Sequence, residues 1–162
     1  LFRSVLPEAA PPEQIESASS ARLPATDVAH TCRVLIAEDD DVNAVIATAY
    51  LEHMGINAER VKDGRLAVHQ ALRETDRPDL VLMDCRMRTM DGMMATREIR
   101  KQEECLGLPR VPVVALTATT SDINRQLCLN AGMDDFMSKP YTREDLQRVL
   151  QRWTRRKVAV TS

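Results

Sequence analysis

The sequence predicts an α/β domain built on a five-stranded parallel sheet. Three observations carry that reading. Pro78-Asp79-Leu80-Val81-Leu82-Met83-Asp84 is a short apolar run closed by a carboxylate, the pattern of a strand buried on both faces. From Arg33 onward, strand-like runs alternate with helical spacing five times, which implies parallel strands joined by right-handed crossovers. Four of the runs deliver polar residues at their C-terminal tips, where open α/β sheets place their ligand sites.

The elements follow in order. Arg33-Val34-Leu35-Ile36-Ala37 reads as the first strand and delivers Glu38 and Asp39. Val42, Val45, Ile46, Ala49, Tyr50 and Met54 then recur at helical spacing, with Gly55 as the C-terminal cap. Residues 56–61 form a shorter, more exposed strand. Asp63-Gly64 turns into a helix with Leu66, Ala67, Ala71 and Leu72 on one face, and the Asp84 strand comes next. Asp91-Gly92 breaks the chain before a helix over residues 93–104, and Leu106-Gly107-Leu108-Pro109 is a loop. Residues 111–116 form the fourth strand and deliver Thr117. A helix over residues 121–130 takes Ser121 or Asp122 as its cap, and Gly132 marks the next turn. Residues 134–138 form the fifth strand and deliver Lys139, followed by Pro140. The last helix, residues 142–153, opens on the capping-box pattern Thr142-Arg143-Glu144-Asp145.

Composition bounds the function. The 162 residues suit one domain with flanking tails. Hydrophobic residues make up 44% and aromatics only 3%, so the core must be aliphatic and Met-rich. Lys plus Arg (22) nearly balances Asp plus Glu (24), which gives no argument for nucleic acid or an anionic membrane. No apolar stretch reaches the roughly 20 residues of a membrane helix. Arg3, Pro7 and Glu8 interrupt any signal-peptide pattern. Cys32, Cys85, Cys105 and Cys128 lack zinc-ligand spacing and lie far apart, so a reducing, intracellular setting is expected rather than a disulfide framework.

Residues 1–31, with Pro11-Pro12 and Ser17-Ala18-Ser19-Ser20, read as a linker, and Leu1 to Pro7 is open to reading as the end of a preceding domain's strand. The expected organisation is a linker over 1–31, the domain over 32–153 and a tail or linker over 154–162. A start at Leu rather than Met suggests a piece of a longer polypeptide.

Glu38, Asp39, Asp84, Thr117 and Lys139 would converge at one sheet edge. Three acids, a hydroxyl and a lysine suit a divalent cation and a phosphoryl group. Repulsion among three acids raises their pKa values unless a cation offsets it, so metal binding should depend on pH.

Glu38-Asp39-Asp40, Asp84-Cys85-Arg86-Met87-Arg88-Thr89-Met90-Asp91-Gly92, Ala115-Leu116-Thr117-Ala118 and residues 131–140 together resemble the receiver domain of two-component response regulators. The Asp-Cys-x-Met, Ala-Leu-Thr-Ala and Ala-Gly-Met-Asp-Asp versions are most similar to receivers attached to hybrid sensor histidine kinases. The resemblance implies a flavodoxin-like (βα)5 fold of strand order 2-1-3-4-5, with its site at the switch point between strands one and three. It implies Asp84 as phosphoacceptor, taking a phosphoryl group from phosphohistidine. It implies Mg²⁺ held by Glu38, Asp39, Asp84 and the Arg86 backbone carbonyl. Lys139, the Thr117 hydroxyl and the Ala118 backbone N–H would bind the phosphoryl oxygens. Thr117 and Phe136 would be the switch, read out on the face of the fourth helix, fifth strand and fifth helix. Phe136 is equally readable as a core side chain.

The implied partners are a histidine kinase transmitter or a histidine phosphotransfer domain, in the cytoplasm, with inner-membrane anchoring of the parent left open. No nucleic-acid or membrane contact is expected of this fragment. The sequence says nothing of oligomeric state. Arg88 stands where the family usually has proline, which frees the loop and adds a cation. Arg86 and Thr119, at positions that tune phosphoryl lifetime in the family, are neither acids nor amides, so a long-lived phosphoryl group is expected.

His30, His53 and His69 lack the neighbours of a kinase phosphorylation box, and there is no Gly-rich nucleotide loop. Two alternatives stay open. One is a degenerate receiver that binds partners without phosphorylation. The other is a haloacid-dehalogenase-type phosphatase, which wants a second Asp two residues past the nucleophile, where Arg86 stands.

Overall fold

A computed structural model describes residues 31–154. The chain divides into two units, Leu1–His30 and Thr31–Ser162, and all described residues belong to the second. The readings placed on residues 1–30 and 155–162, including the linker, the strand end at residues 1–7, the tail and His30, lie outside the described residues.

Five strands, β1 (Arg33–Ala37), β2 (Asn57–Val61), β3 (Leu80–Asp84), β4 (Val113–Thr117) and β5 (Asp135–Ser138), alternate with α1 (Asp41–His53), α2 (Gly64–Ala71), α3 (Gly92–Leu106), α4 (Asp122–Asn130) and α5 (Arg143–Trp153). All pairings are parallel, and the strand order is β2-β1-β3-β4-β5. The five-stranded order expected from the resemblance is therefore the observed one.

The central strands are apolar except at their ends, Arg33 of β1, Asp84 of β3 and Thr117 of β4, because both of their faces are covered. Every residue of β3 and β4 is buried. Alternate strand residues face opposite layers. Val34, Ile36, Leu80, Leu82, Val114 and Leu116 pack with Ala47 and Leu51 of α1 and Leu146 and Leu150 of α5. Leu35, Ala37, Val81, Met83, Val113 and Ala115 pack with Ala67 and Ala71 of α2, Ala95 and Ile99 of α3 and Cys128 of α4. Each buried Leu or Ile in these layers contributes roughly 1.5–3 kcal/mol.

Strand bounds differ from expectation by one or two residues. β3 starts at Leu80 rather than 78, because Asp79 pairs with Arg33 outside the ladder: Asp79 N donates to Arg33 O, and Arg33 N donates to Asp79 Oδ2. β4 runs Val113–Thr117, so Thr117 is its last residue rather than the one after it.

The helix faces differ more. α1 carries two apolar stripes, and the inward one is Ala44, Ala47 and Leu51. Val42, Val45 and Ile46 face outward, at 68%, 66% and 41% exposure. Small alanines let α1 lie close to the sheet, and periodicity cannot say which stripe turns inward. In α2, Ala67 and Ala71 are inward while Leu66 is exposed. α3 runs two residues past its expected end and is capped by Gly107. Ser121 rather than Asp122 caps α4, and Thr142 and Asp145 form a reciprocal capping box on α5.

A buried ionic clamp holds the sheet edge away from the Asp84 tip. Glu103 of α3 accepts from Arg77 (2.9 Å), Arg100 (2.6 Å) and the Val111 N–H (2.7 Å). Asp134 accepts from Arg100 (2.8 Å), Arg110 and the Val113 N–H (2.8 Å). Removing a buried member such as Glu103 costs about 3 kcal/mol, because the arginines around it keep their charge without compensation.

Candidate functional site

The tips of β1, β3, β4 and β5 lie at one edge because their registers align: Ala37 with Met83, Asp84 with Leu116, and Thr117 with Ser138. Ladder bonds continue one step past the strands. Glu38 N donates to Val61 O, Cys85 N to Leu116 O, and Lys139 N to Thr117 O. The backbones that carry the polar side chains are thereby fixed by the sheet. The Lys139–Pro140 peptide is cis.

Lys139 Nζ donates to Glu38 Oε2 at 2.6 Å and lies 3.1 Å from Asp84 Oδ2. Asp40 N donates to Glu38 Oε1 at 3.1 Å, and Arg86 N donates to Asp84 Oδ1 at 3.0 Å. Glu38, Asp39 and Asp84 offer oxygens that all lie within 4.8 Å of one another, the one such cluster among the described residues. Glu38 is 1% exposed and Asp84 6%, so charge there is poorly solvated.

Titration follows from that burial. Desolvation pushes the Glu38 carboxyl above its ordinary value; the Lys139 hydrogen bond opposes this and the Asp84 carboxylate reinforces it. Burial pulls the Lys139 ammonium down, but the Glu38 hydrogen bond and the Asp84 charge outweigh it, leaving Lys139 above its ordinary value. Tyr141 is pushed up to about 12 by burial and by the negative charge of Glu38 and Asp84.

Asp91-Gly92 does more than break the chain. Asp91 caps α3 through the Met94 N–H, and Gly92 packs against the acid-bearing strand. A Cβ on Gly92 would overlap the Asp84 carbonyl oxygen. Only glycine lets α3 start this close to β3. Asp40 likewise caps α1, and Asp41 pairs with Arg60 and Lys62.

Thr117 lies at the same edge, 5% exposed, but its hydroxyl is engaged by the loop that follows it and by α4. It donates to Thr119 O (3.0 Å) and accepts from Thr119 N (3.1 Å) and Asn124 Nδ2 (2.9 Å). Ala118 and Arg86 are exposed. Arg88 is 93% exposed with Nε 3.7 Å from Asp39 Oδ2, an exposed pair that contributes little. Phe136 is half-buried against the α2–α3 layer, with the Arg125 guanidinium 4.1 Å from its ring centre.

Three neighbours escaped sequence reasoning. Arg60 Nε donates to Glu38 O at 3.0 Å. Asn124 holds Thr117, and Tyr141 packs close enough to feel the acids. Tyr141 follows the Lys139-Pro140 pair directly, a proximity the sequence could have suggested; Arg60 and Asn124 carry no such signal.

The oxygen-only donor set fits Mg²⁺, a hard cation. With no His or Cys among the three residues, it does not suit zinc.

A doubly wound sheet with acids at the tips of β1 and β3 beside its switch point, closed by a lysine from the tip of β5, defines a flavodoxin-like α/β domain with an acidic edge. The family model described as response regulator receiver domain matches residues 34–151, and the chain belongs to that family.

Sensor protein GacS of Pseudomonas syringae pv. syringae is 38% identical over 122 residues, covering 75% of this chain and 13% of GacS. The receiver domain of sensor histidine kinase PA1611 from Pseudomonas aeruginosa PAO1, solved with a magnesium ion in its active site cleft, is 46% identical with a TM-score of 0.67. That alignment covers 76% of this chain and 97% of that one. The co-crystal structure of the Saccharomyces cerevisiae histidine phosphotransfer protein Ypd1 with the Ssk1 receiver domain matches with a TM-score of 0.73 at 26% identity. It covers 81% of this chain and 94% of that one. The chain spans between 4% and 13% of the length of the first curated relatives it matches. The haloacid-dehalogenase alternative finds no support in these comparisons.

Proposed function

We propose that this receiver domain takes its phosphoryl group on Asp84, from the phosphohistidine of a kinase transmitter or a histidine phosphotransfer domain. The Lys139 ammonium held between Glu38 and Asp84 is the observation that carries this reading. An Asp84 oxygen attacks phosphorus, the P–N bond breaks, and the imidazole keeps the electron pair. Lys139 pairs with the arriving phosphoryl oxygens, and the Thr117 hydroxyl and Ala118 N–H donate to them. Glu38, Asp39 and Asp84, with the Arg86 carbonyl, would hold Mg²⁺, which supplies the positive charge that lets two anions approach.

The acyl phosphate then acts as a switch, drawing Thr117 toward Asp84 with Phe136 following. Output leaves through the α4–β5–α5 face, where Ile123 and Leu127 are exposed. Neither Arg86 nor Thr119 is an acid or amide that would orient a hydrolytic water, which supports a long-lived phosphoryl group. The exposed Val42, Val45 and Ile46, directly after the acids, support a protein partner on that side. The relatives support a hybrid sensor histidine kinase as parent. The receiver would then lie in the cytoplasm, with residues 1–31 as its lead-in. No described helix is long and apolar enough to cross a membrane.

Incubation with acetyl phosphate and Mg²⁺ tests the proposal. The mass should rise by one phosphoryl group in the wild type and not in Asp84→Asn. No mass change and no spectral response to beryllofluoride would mean a partner-binding module without phosphorylation. Turnover of many phosphoesters would mean a phosphatase.

A further inference from the structure

We propose that Asn124 is the latch that holds Thr117 away from Asp84 and thereby sets how readily the domain switches. The inference rests on Asp84 as phosphoacceptor. A threonine hydroxyl has one proton and two lone pairs. Here the proton goes to Thr119 O, and the two acceptor positions take Thr119 N–H and Asn124 Nδ2. The hydroxyl is saturated. It can donate to a phosphoryl oxygen on Asp84 only after its proton leaves the Thr119 carbonyl.

Asn124 stands on both ends of that bond. Its Nδ2 lies 2.9 Å from Thr117 Oγ1 and 2.9 Å from Thr119 O. The Thr119 carbonyl can only accept, so the amide nitrogen, not the oxygen, must face this pair. Asn124 is itself anchored: its backbone N–H donates to the Ser121 cap at 3.2 Å. It is the third residue of α4 and half-buried. Thr117 therefore cannot turn toward Asp84 without detaching from the first turn of α4. This makes Asn124 a positioning residue, and it links the acceptor edge to the helix that carries the exposed Ile123 and Leu127.

Because the latch is made only in the resting state, removing it should favour the switched state. Asn124→Ala, and the near-isosteric Asn124→Leu, should bind beryllofluoride with Mg²⁺ about five-fold more tightly than wild type, the value of one neutral hydrogen bond of about 1 kcal/mol. In a Thr117→Ala background the same substitutions should have no effect, since nothing is left to release. Amide NMR signals of α4 in the free variants should move toward their beryllofluoride-bound positions. A purely structural asparagine would lower thermal stability without tightening the ligand. Unchanged or weaker affinity in both variants, or an equal gain in the Thr117→Ala background, would overturn the latch while leaving the acceptor reading intact. A wild-type protein blind to beryllofluoride would overturn the acceptor reading and the latch's switching role together.

Discussion

Lys139 Nζ sits 2.6 Å from Glu38 Oε2, tying the tip of β5 to the tip of β1 across β3 and β4. The same ammonium lies 3.1 Å from Asp84. Lys139 is therefore the resting counter-charge for two buried acids, beside the phosphoryl-binding role proposed for it. Lys139→Ala should destabilise the metal-free protein by about 2 kcal/mol, less than a fully buried pair because the lysine is partly solvated. Added Mg²⁺ should recover much of that loss and bind more tightly than in wild type, while acetyl phosphate labelling falls. Urea unfolding with and without Mg²⁺ measures the first effect, and calorimetry the second. Equal stability of variant and wild type in chelator would contradict the counter-charge role.

The raised pKa of Glu38 sets a pH dependence whose sign can be worked out. In the folded, metal-free state the carboxyl gives up its proton at higher pH than in the unfolded chain. The stability it contributes is fully present below 4.5, the ordinary value, and is lost as pH rises through the raised folded value. Mg²⁺ competes with that proton, so metal affinity should rise with pH over the same window, upward from 4.5. Glu38→Gln should bind metal more weakly and lose this part of the pH slope. Titrating Mg²⁺ at a series of pH values reads both.

Two glycines should respond differently to alanine. Gly92→Ala places a Cβ on the Asp84 carbonyl and 2.8 Å from Met83 Cγ, so α3 or Asp84 must move. Overpacking of this kind costs about 2 kcal/mol, and labelling of Asp84 should slow with it. Gly55 has φ +75 with nothing near its Cβ position. Gly55→Ala should cost about 1 kcal/mol from backbone strain and leave labelling unchanged. Chemical denaturation and labelling rates of the two variants test the contrast.

The four cysteines should separate cleanly by accessibility. Cys105 is exposed, whereas Cys32, Cys85 and Cys128 are buried. Burial, with the neighbouring Cys128 next in weight, pushes the Cys85 thiol up to about 12, so it carries almost no thiolate at neutral pH. An aromatic disulfide reagent should titrate one thiol quickly in the native protein and the other three only on unfolding. Fast native reaction at Cys85 would contradict the buried placement.

Much of the architecture was legible in local pattern. Short apolar runs alternating with helical spacing leave a parallel sheet as the consistent solution, and its strand tips then bring Glu38, Asp39, Asp84, Thr117 and Lys139 to one edge. Caps at Asp40, Asp91, Ser121 and Thr142 are equally local, because each bonds a backbone N–H three residues on.

The folded chain alone settled which stripe of α1 turns inward, since Ala44, Ala47 and Leu51 repeat with the same period as the outward Val42, Val45 and Ile46. It also settled the pairings of Arg60 with Glu38, Arg77 with Glu103, Arg100 with Asp134 and Asn124 with Thr117. A periodic hydrophobic pattern records burial along one element. Hydrogen bonds and ion pairs between elements leave no such mark, because they depend on where crossovers bring side chains together.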